Sequence, residues 1–211
     1  MSFLKTHPCF FLKKVNNINM KKIFTILFII IFTIIFTHIS ALAETDVEGY
    51  WKNTKGLKVY IPPKNILTEP MTHAFWEWQK QTNNKITFDF VGTKTTSNIE
   101  VILLKKNVTD FCKNKKALGC TTTYGYPAPN TQKMVITKAK IYISEINNHG
   151  EVMSKTEVYT IMLHELGHAL GLVHSKNVNS IMFPMTGATL SKIQDIQPID
   201  IKDLYRIYNM E

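Results

Sequence analysis

The chain contains 211 residues, carries a formal net charge of +9 and is 45% hydrophobic. This hydrophobic fraction excludes a wholly disordered chain, and nine Gly and eight Pro exclude a collagen-like or proline-rich repeat protein. Three Cys are too few for a miniprotein built on disulfides.

The positive charge is concentrated at the N-terminus. Residues 1–43 contain five Lys and no acidic residue, which leaves 20 basic and 16 acidic residues in 44–211. The other Lys residues are scattered, with short clusters at 105–106 and 113–116 and no basic stripe interleaved with aromatic residues. Scattered charge is typical of a solvated surface, so we expect no nucleic-acid partner.

The first 43 residues have the three parts of a secretory signal. A basic pair at 21–22 precedes an apolar run of 14 residues over 23–36, and Ala-Leu-Ala at 41–43 fits a cleavage site. The run is short for a helix that spans a ~30 Å hydrocarbon core. We predict a start at Met20, cleavage after residue 43 and a secreted or periplasmic product. An uncleaved membrane anchor is the alternative.

Export would place the mature chain in an oxidising compartment. Cys9 would leave with the leader, so Cys112 and Cys120 would remain as an even pair that is close in sequence. Such a pair can form a small disulfide loop, and two separate thiols are the alternative.

The pattern of apolar residues along 44–211 predicts strands followed by helices. Pro62 and Pro63 end the first strand, and Thr68, Glu69 and Pro70 supply a cap, an acid and a proline at a helix start. In chain order, the pattern predicts a strand over 57–61, a helix over 68–81, strands over 86–90 and 98–104, an irregular segment over 105–129, strand candidates over 134–136 and 139–143, a helix over 155–170 and a last helix over 199–208.

The helix over 155–170 has clear ends. Ser154 and Glu157 fit a capping box, in which each side chain bonds a free amide of the first turn. Gly171 follows the helix and tolerates the left-handed backbone angles that a chain reversal needs. Because most strands come early and two helices come late, without repeats or a linker, the fold class is α/β or α+β.

One motif, over residues 164–174, contains candidate metal ligands and a candidate base. His164 and His168 are four residues apart, so on a helix they lie on one face and can converge on a metal ion. A chain reversal at Gly171 can bring His174 to the same ion as a third ligand. Glu165 follows the first ligand and can reach a water at the metal without being a ligand itself.

Three His ligands with one open position are typical of catalytic zinc, whereas structural zinc sites are closed. The pattern fixes five residues, and average residue usage gives it by chance in about one of 10⁵ chains of this length. We therefore predict that His164, His168 and His174 bind Zn²⁺.

The motif His-Glu-x-x-His-x-x-Gly-x-x-His over 164–174 resembles the signature of the metzincin zinc endopeptidases. Met182, in Ser-Ile-Met-Phe-Pro over 180–184, stands where that clan has its Met-containing turn. Ser175 directly after the third His is similar to the matrixin branch. The resemblance implies an α+β catalytic domain over 44–211, with an α/β-type N-terminal part, a twisted, mostly parallel sheet, an antiparallel edge strand, an active-site helix and a C-terminal helix.

The sequence departs from animal matrixins at several points. It leaves no room for a propeptide whose Cys blocks the zinc, so we expect no latency of that kind. Residues 105–140 contain no His, and His149 alone does not restore a second, structural zinc site. Met182 lacks a Tyr two residues later, so the Tyr ligand of astacins and serralysins is not expected. Acidic residues over 145–151 leave a Ca²⁺ site open without defining it.

The resemblance implies a zinc endopeptidase that acts on a protein or peptide. Glu165 would take a proton from the attacking water and pass it to the leaving amine, and Met182 would form the floor of the metal site. An extended substrate would lie along an edge strand, for which 118–122 is the best candidate. Uncharged residues over 184–190 would wall a pocket with hydrophobic preference. We expect a monomer.

Two other function classes stay open. The first is a catalytically silent zinc-binding or peptide-binding module of the same fold, although binding alone would not need Glu165. The second is a membrane-tethered surface protein, which requires that the leader is not removed.

Overall fold

The computed structural model of the chain describes residues 47–105, 108, 112, 117–184 and 195–210. All of them belong to one compact unit, Glu44–Glu211. The predicted leader, with its start and cleavage site, lies outside the described residues, as do residues 185–190 of the predicted pocket wall. In the described part of the chain, no helix has both the length and the apolar character to cross a membrane.

The strands form one mixed sheet. Its order is β3-β2-β4-β6-β5, with β1 paired to the first residues of β6 in line with β4. Paired strands are parallel except β5, which runs antiparallel to β6, so the expected mostly parallel sheet with an antiparallel edge strand is confirmed. The strands described are β1 (Gly49–Trp51), β2 (Leu57–Tyr60), β3 (Phe88–Phe90), β4 (Ile99–Leu104), β5 (Gly119–Pro127) and β6 (Met134–Ser144).

Strand β6 joins the two halves of the sheet. Its residues 134–136 pair with β1 and its residues 139–144 pair with β4, while β5 pairs along its other edge. The prediction of two separate strands here is therefore wrong. Thr137 and Lys138 interrupt the apolar pattern, but the strand continues through them, and Lys138 pairs with Tyr124 of β5.

Strand β5 lies within the segment 105–129 that the sequence predicts to be irregular, and that prediction is wrong for its nine residues. Thr, Tyr and Gly dominate the strand, so it lacks the apolar alternation that marks a strand in a sequence. Pairing with β6 defines it instead. A register shift between Tyr124 and Gly125 interrupts this pairing, and a Cβ on Gly125 would lie 2.0 Å from the carbonyl oxygen of Val135.

The three predicted helices are confirmed, with bounds within one residue of expectation. They are α1 (Thr68–Gln81), α2 (Lys155–Ala169) and α3 (Pro198–Tyr208), and a short 3₁₀ helix covers Lys94–Thr96. The capping box is also confirmed, because Ser154 accepts from the amide of Glu157 and Glu157 accepts from the amide of Ser154.

Helix α2 runs through the interior, between α1 and the strands β5 and β6. Trp78 of α1 is fully buried and donates its indole N–H to the carbonyl oxygen of Leu163 at 3.0 Å. Burial of each large apolar side chain contributes about 1.5–3 kcal/mol. His164 and Glu165 are therefore polar side chains on a buried helix, and each needs a specific partner.

Cys112 and Cys120 form a disulfide in the structure. Cys120 lies in β5 opposite Tyr142 of β6, and both cysteines join Tyr142 and Val108 in a small buried cluster apart from the main core. The bridge ties the segment before β5 to the edge strand.

The end of α2 is fixed by residues from both ends of the described chain. Trp51 donates its indole N–H to the carbonyl of Ala169 at 2.9 Å, and the Tyr208 hydroxyl donates to the carbonyl of Leu170 at 2.9 Å. The same hydroxyl accepts from the amide of Trp51 at 3.2 Å.

Gly171 then reverses the chain. Its φ is +99°, in the left-handed region, and its carbonyl accepts from the amide of Gly49 at 3.1 Å. A Cβ at this position would lie 1.8 Å from the carbonyl oxygen of Gly49. Both the backbone angle and the close approach therefore require glycine.

We predict that Gly171→Ala lowers the free energy of unfolding by about 2–4 kcal/mol, because a side chain would strain the turn and collide with β1. Urea denaturation measures the change. Gly92→Ala is the matched control, since nothing lies within 4 Å of a Cβ at Gly92. Equal unfolding midpoints for the two variants would contradict the requirement for glycine in this turn.

Candidate active site

Helix α2 and the turn after it bring three imidazoles together. The Nε2 atom of His168 lies 3.2 Å from Nε2 of His164 and 3.3 Å from Nε2 of His174. In the part of the chain that the structure describes, these three histidines form the group of side chains that could together bind a metal ion. Their ligand nitrogens all lie within 4.8 Å of one another. The structure thus assembles the three predicted ligands, two on α2 and one on the exposed loop after Gly171.

Main-chain carbonyls fix the orientation of two of these rings. His164 Nδ1 lies 2.7 Å from the carbonyl oxygen of Ile181, and His168 Nδ1 lies 2.9 Å from that of Leu172. A carbonyl only accepts, so each Nδ1 carries the proton and donates it. In the neutral rings, the Nε2 lone pairs then point towards the common centre of the triad.

The electrostatics of the site favour neutral rings. Burial lowers the pKa of His164 to about 4, and burial together with the neighbouring imidazoles lowers the pKa of His168 well below its usual value. Two unprotonated nitrogen atoms 3.2 Å apart have no hydrogen to share, and a cation between them satisfies both. Three imidazole nitrogen donors suit zinc, so the residues present fit the metal.

Glu165 lies beside the triad on the same helix and is only 6% exposed. Its Oε2 atom accepts a hydrogen bond from the hydroxyl of Thr121 in β5 at 2.8 Å. The edge strand therefore runs directly past the candidate base. Thr121 falls within the predicted substrate strand 118–122, but its contact with Glu165 was not predicted.

Met182 lies in a turn over 180–184, next to Gly167 of α2, and is 2% exposed. A Cβ on Gly167 would lie 2.3 Å from the sulfur of Met182, so this glycine of α2 allows the turn to approach the helix closely. The Met182 carbonyl accepts from the amide of Ser175 at 2.9 Å, which links the turn to the residue after the third His.

Asp200 of α3 organises this turn, and the sequence analysis missed it. Its carboxylate is buried and accepts from the hydroxyl of Ser180, from the amide of Ile181 at 3.1 Å and from the amide of Gln197 at 2.8 Å. The carbonyl of Ile181 in turn accepts from His164. In the sequence, an acid in the first turn of a helix is typical of an ordinary cap. Its position after Gln197 and Pro198 marks the helix start but does not indicate the bonds to the turn over 180–184.

The loop proposed for calcium forms its own turn. The Asn147 side chain accepts from the amides of His149 and Glu151 at 2.9 and 3.0 Å, and Glu145 accepts from Asn65 at 2.9 Å. His149 does not join the histidine triad. These contacts give no ligand set for calcium, so that site stays a prediction.

We predict that Asp200→Asn lowers the free energy of unfolding by about 2–3 kcal/mol, because an amide group would face donors that now bond a carboxylate. Urea denaturation tests this. Asp203→Asn is the control, since Asp203 is 41% exposed and lies 3.8 Å from Arg206. A midpoint for Asp200→Asn equal to that of Asp203→Asn would show that the buried bonds contribute little.

Comparison with known proteins shows which protein family this chain belongs to. A sequence model of the matrixin family matches residues 57–209. Metalloendoproteinase 2-MMP of Arabidopsis thaliana is 25% identical over 162 residues, which cover 74% of this chain and 42% of that protein. A putative matrix metalloproteinase of Trichoplusia ni ascovirus 2c is 38% identical over 55 residues (26% and 11%), and matrilysin of Felis catus is 42% identical over 48 residues (23% and 18%).

The matches span less than half the length of these relatives. Matrixins are zinc enzymes, and the convergent histidine triad is a site of the kind that binds zinc. Since the family model covers well over half of the residues, the chain belongs to the matrixin family.

Proposed function

We propose that this chain is a secreted zinc endopeptidase in which His164, His168 and His174 hold the metal and Glu165 is the general base. One observation carries the proposal. Three imidazole nitrogens converge, two of them with their tautomer fixed by carbonyls, beside a buried carboxylate on the same helix.

The chain's own residues supply binding and proton transfer. Zinc, when bound, supplies a Lewis acid that lowers the pKa of a water towards ~7 and stabilises charge on the substrate carbonyl oxygen. Glu165 accepts the proton of the attacking water and then delivers it to the leaving amine. The carbonyls of Ile181 and Leu172 keep His164 and His168 in the tautomer that presents Nε2.

An extended peptide is the substrate that the edge of β5 favours. Among the described strands, β5 pairs with β6 only, and β5 carries the side chain that contacts Glu165. A peptide can add to the other edge of β5 through main-chain hydrogen bonds near Leu118 to Thr122. The scissile bond would then lie close to the base.

A catalytically silent binding module is the less favoured function. Such a module needs the histidines but gains nothing from a carboxylate that is 6% exposed and held beside them. The buried Glu165 therefore supports catalysis over binding alone.

We predict that Glu165→Gln retains one zinc per chain but loses at least about 10³-fold in peptide hydrolysis, because an amide cannot accept the proton. His168→Ala is expected to lose both the metal and the activity. Cleavage of casein and of a peptide library, with and without a chelator, gives the activity, and elemental analysis gives the zinc content. His149→Ala, outside the triad, is the control for both measurements.

The outcomes separate the two roles. Full activity of Glu165→Gln would exclude the general-base role, whereas unchanged zinc content in His168→Ala would exclude the ligand assignment. Inactive wild-type protein with bound zinc would favour the binding module.

Secretion is proposed from the leader. Its basic pair, apolar run and Ala-Leu-Ala sequence support export followed by cleavage after Ala43. We predict that the exported protein begins at Glu44, which mass spectrometry of the intact secreted protein measures. Ala43→Phe is expected to block cleavage, because the cleavage site requires a small residue. A wild-type product that keeps the apolar run would instead support the membrane-tethered form.

A further inference from the structure

We propose that Thr121 is a positioning residue that holds the carboxylate of Glu165 in place for proton transfer. The inference rests on the proposed role of Glu165 as the general base, and it assigns a function to a side chain of the edge strand that the catalytic motif does not include.

The Thr121 hydroxyl contacts both the side chain and the main chain of Glu165. Thr121 Oγ1 lies 2.8 Å from Oε2 of Glu165 and also 2.8 Å from the main-chain carbonyl oxygen of Glu165. Both are acceptors while the carboxylate is ionised, so the hydroxyl is the donor and its single hydrogen is shared between the two oxygens. A hydroxyl between the side chain and the backbone of the same residue restricts the torsions of the glutamate and keeps its carboxylate against α2.

The neighbouring position on the same face of β5 makes room for this arrangement. Side chains alternate along a strand, so positions 119 and 121 face α2 together. A Cβ on Gly119 would lie 3.0 Å from Cγ and 3.1 Å from Oε1 of Glu165, and 2.6 Å from a methyl carbon of Ile161. Gly119 therefore leaves space for the carboxylate while Thr121 contacts it.

The strand that carries Thr121 is held by pairing along one edge and by a disulfide. Thr121 pairs with Ile141 and Gly119 pairs with Ile143 in β6, and Cys120 between them is bridged to Cys112. A donor on a paired, cross-linked strand has little freedom to follow the glutamate. A β-branched residue also has restricted χ1 freedom. Thr121 is therefore a rigidly held donor that restricts the motion of the Glu165 carboxylate. The rate of proton transfer depends on precise placement of the base.

We predict that Thr121→Val lowers kcat by about tenfold and changes KM by less than about twofold, because valine keeps the shape of threonine but removes the donor. Thr121→Ser restores the hydroxyl and should recover kcat to within about threefold of wild type. Zinc content and the thermal midpoint of each variant show whether the metal site and the fold are intact. Thr137→Val is the matched control, since it removes an exposed strand hydroxyl that donates to Tyr124 at 3.2 Å.

A double-mutant cycle separates positioning from other roles. In a Glu165→Gln background, whose residual hydrolysis is followed at high enzyme concentration, Thr121→Val should cause no further loss of kcat. The same fold loss in both backgrounds would overturn the proposal, because Thr121 would then act independently of Glu165. An unchanged kcat for Thr121→Val in an otherwise wild-type chain would also overturn it.

The failure of this inference is distinguishable from that of the proposed function. If Glu165→Gln is inactive and Thr121→Val is fully active, Glu165 remains the base and only the positioning role is lost. If Glu165→Gln is fully active, the general-base role itself fails, and the positioning role fails with it.

Discussion

The convergence of the histidine triad depends on two hydrogen bonds from imidazole N–H groups to main-chain carbonyls. The carbonyl of Ile181 fixes His164, and the carbonyl of Leu172 fixes His168, so the Nε2 atoms of both rings converge with that of His174. A carbonyl can hold a ring only if its own backbone is held. The buried turn around Met182, the carboxylate of Asp200 and the reversal at Gly171 provide that support.

Helix α2 combines two roles that usually conflict. Its buried faces fill the core between α1 and the sheet, yet the same helix carries the polar groups of the proposed chemistry. The conflict is resolved because each polar group has a partner from another element, a carbonyl for His164 and a strand hydroxyl for Glu165. Small residues at 119 and 167 let those elements approach the helix.

Local features of the sequence predicted the helix and the convergence of its histidines. A four-residue spacing puts His164 and His168 on one face, and the capping box and Gly171 mark the helix ends, all from short-range chemistry. The local pattern did not predict strand β5, for which only the family resemblance gave an edge strand at 118–122, and the contacts of Thr121 and Asp200 were not predicted at all. Their roles arise from partners far along the chain, such as the 44 residues that separate Thr121 from Glu165. A threonine-rich strand and a capping acid do not show such partners in their local pattern.

The fixed end of α2 has a consequence for the order of folding. Trp51 reaches Ala169 across 118 residues, and Tyr208 closes the same corner onto Trp51 across 157. Contacts between distant segments require closure of a long loop, which costs entropy, and they therefore form late in folding. The corner that presents His174 therefore depends on contacts from residues near both ends of the described range, Trp51 and Tyr208. Formation of the helix that carries the His-Glu-x-x-His segment therefore does not by itself complete the histidine triad, which also needs these long-range contacts at the end of the helix.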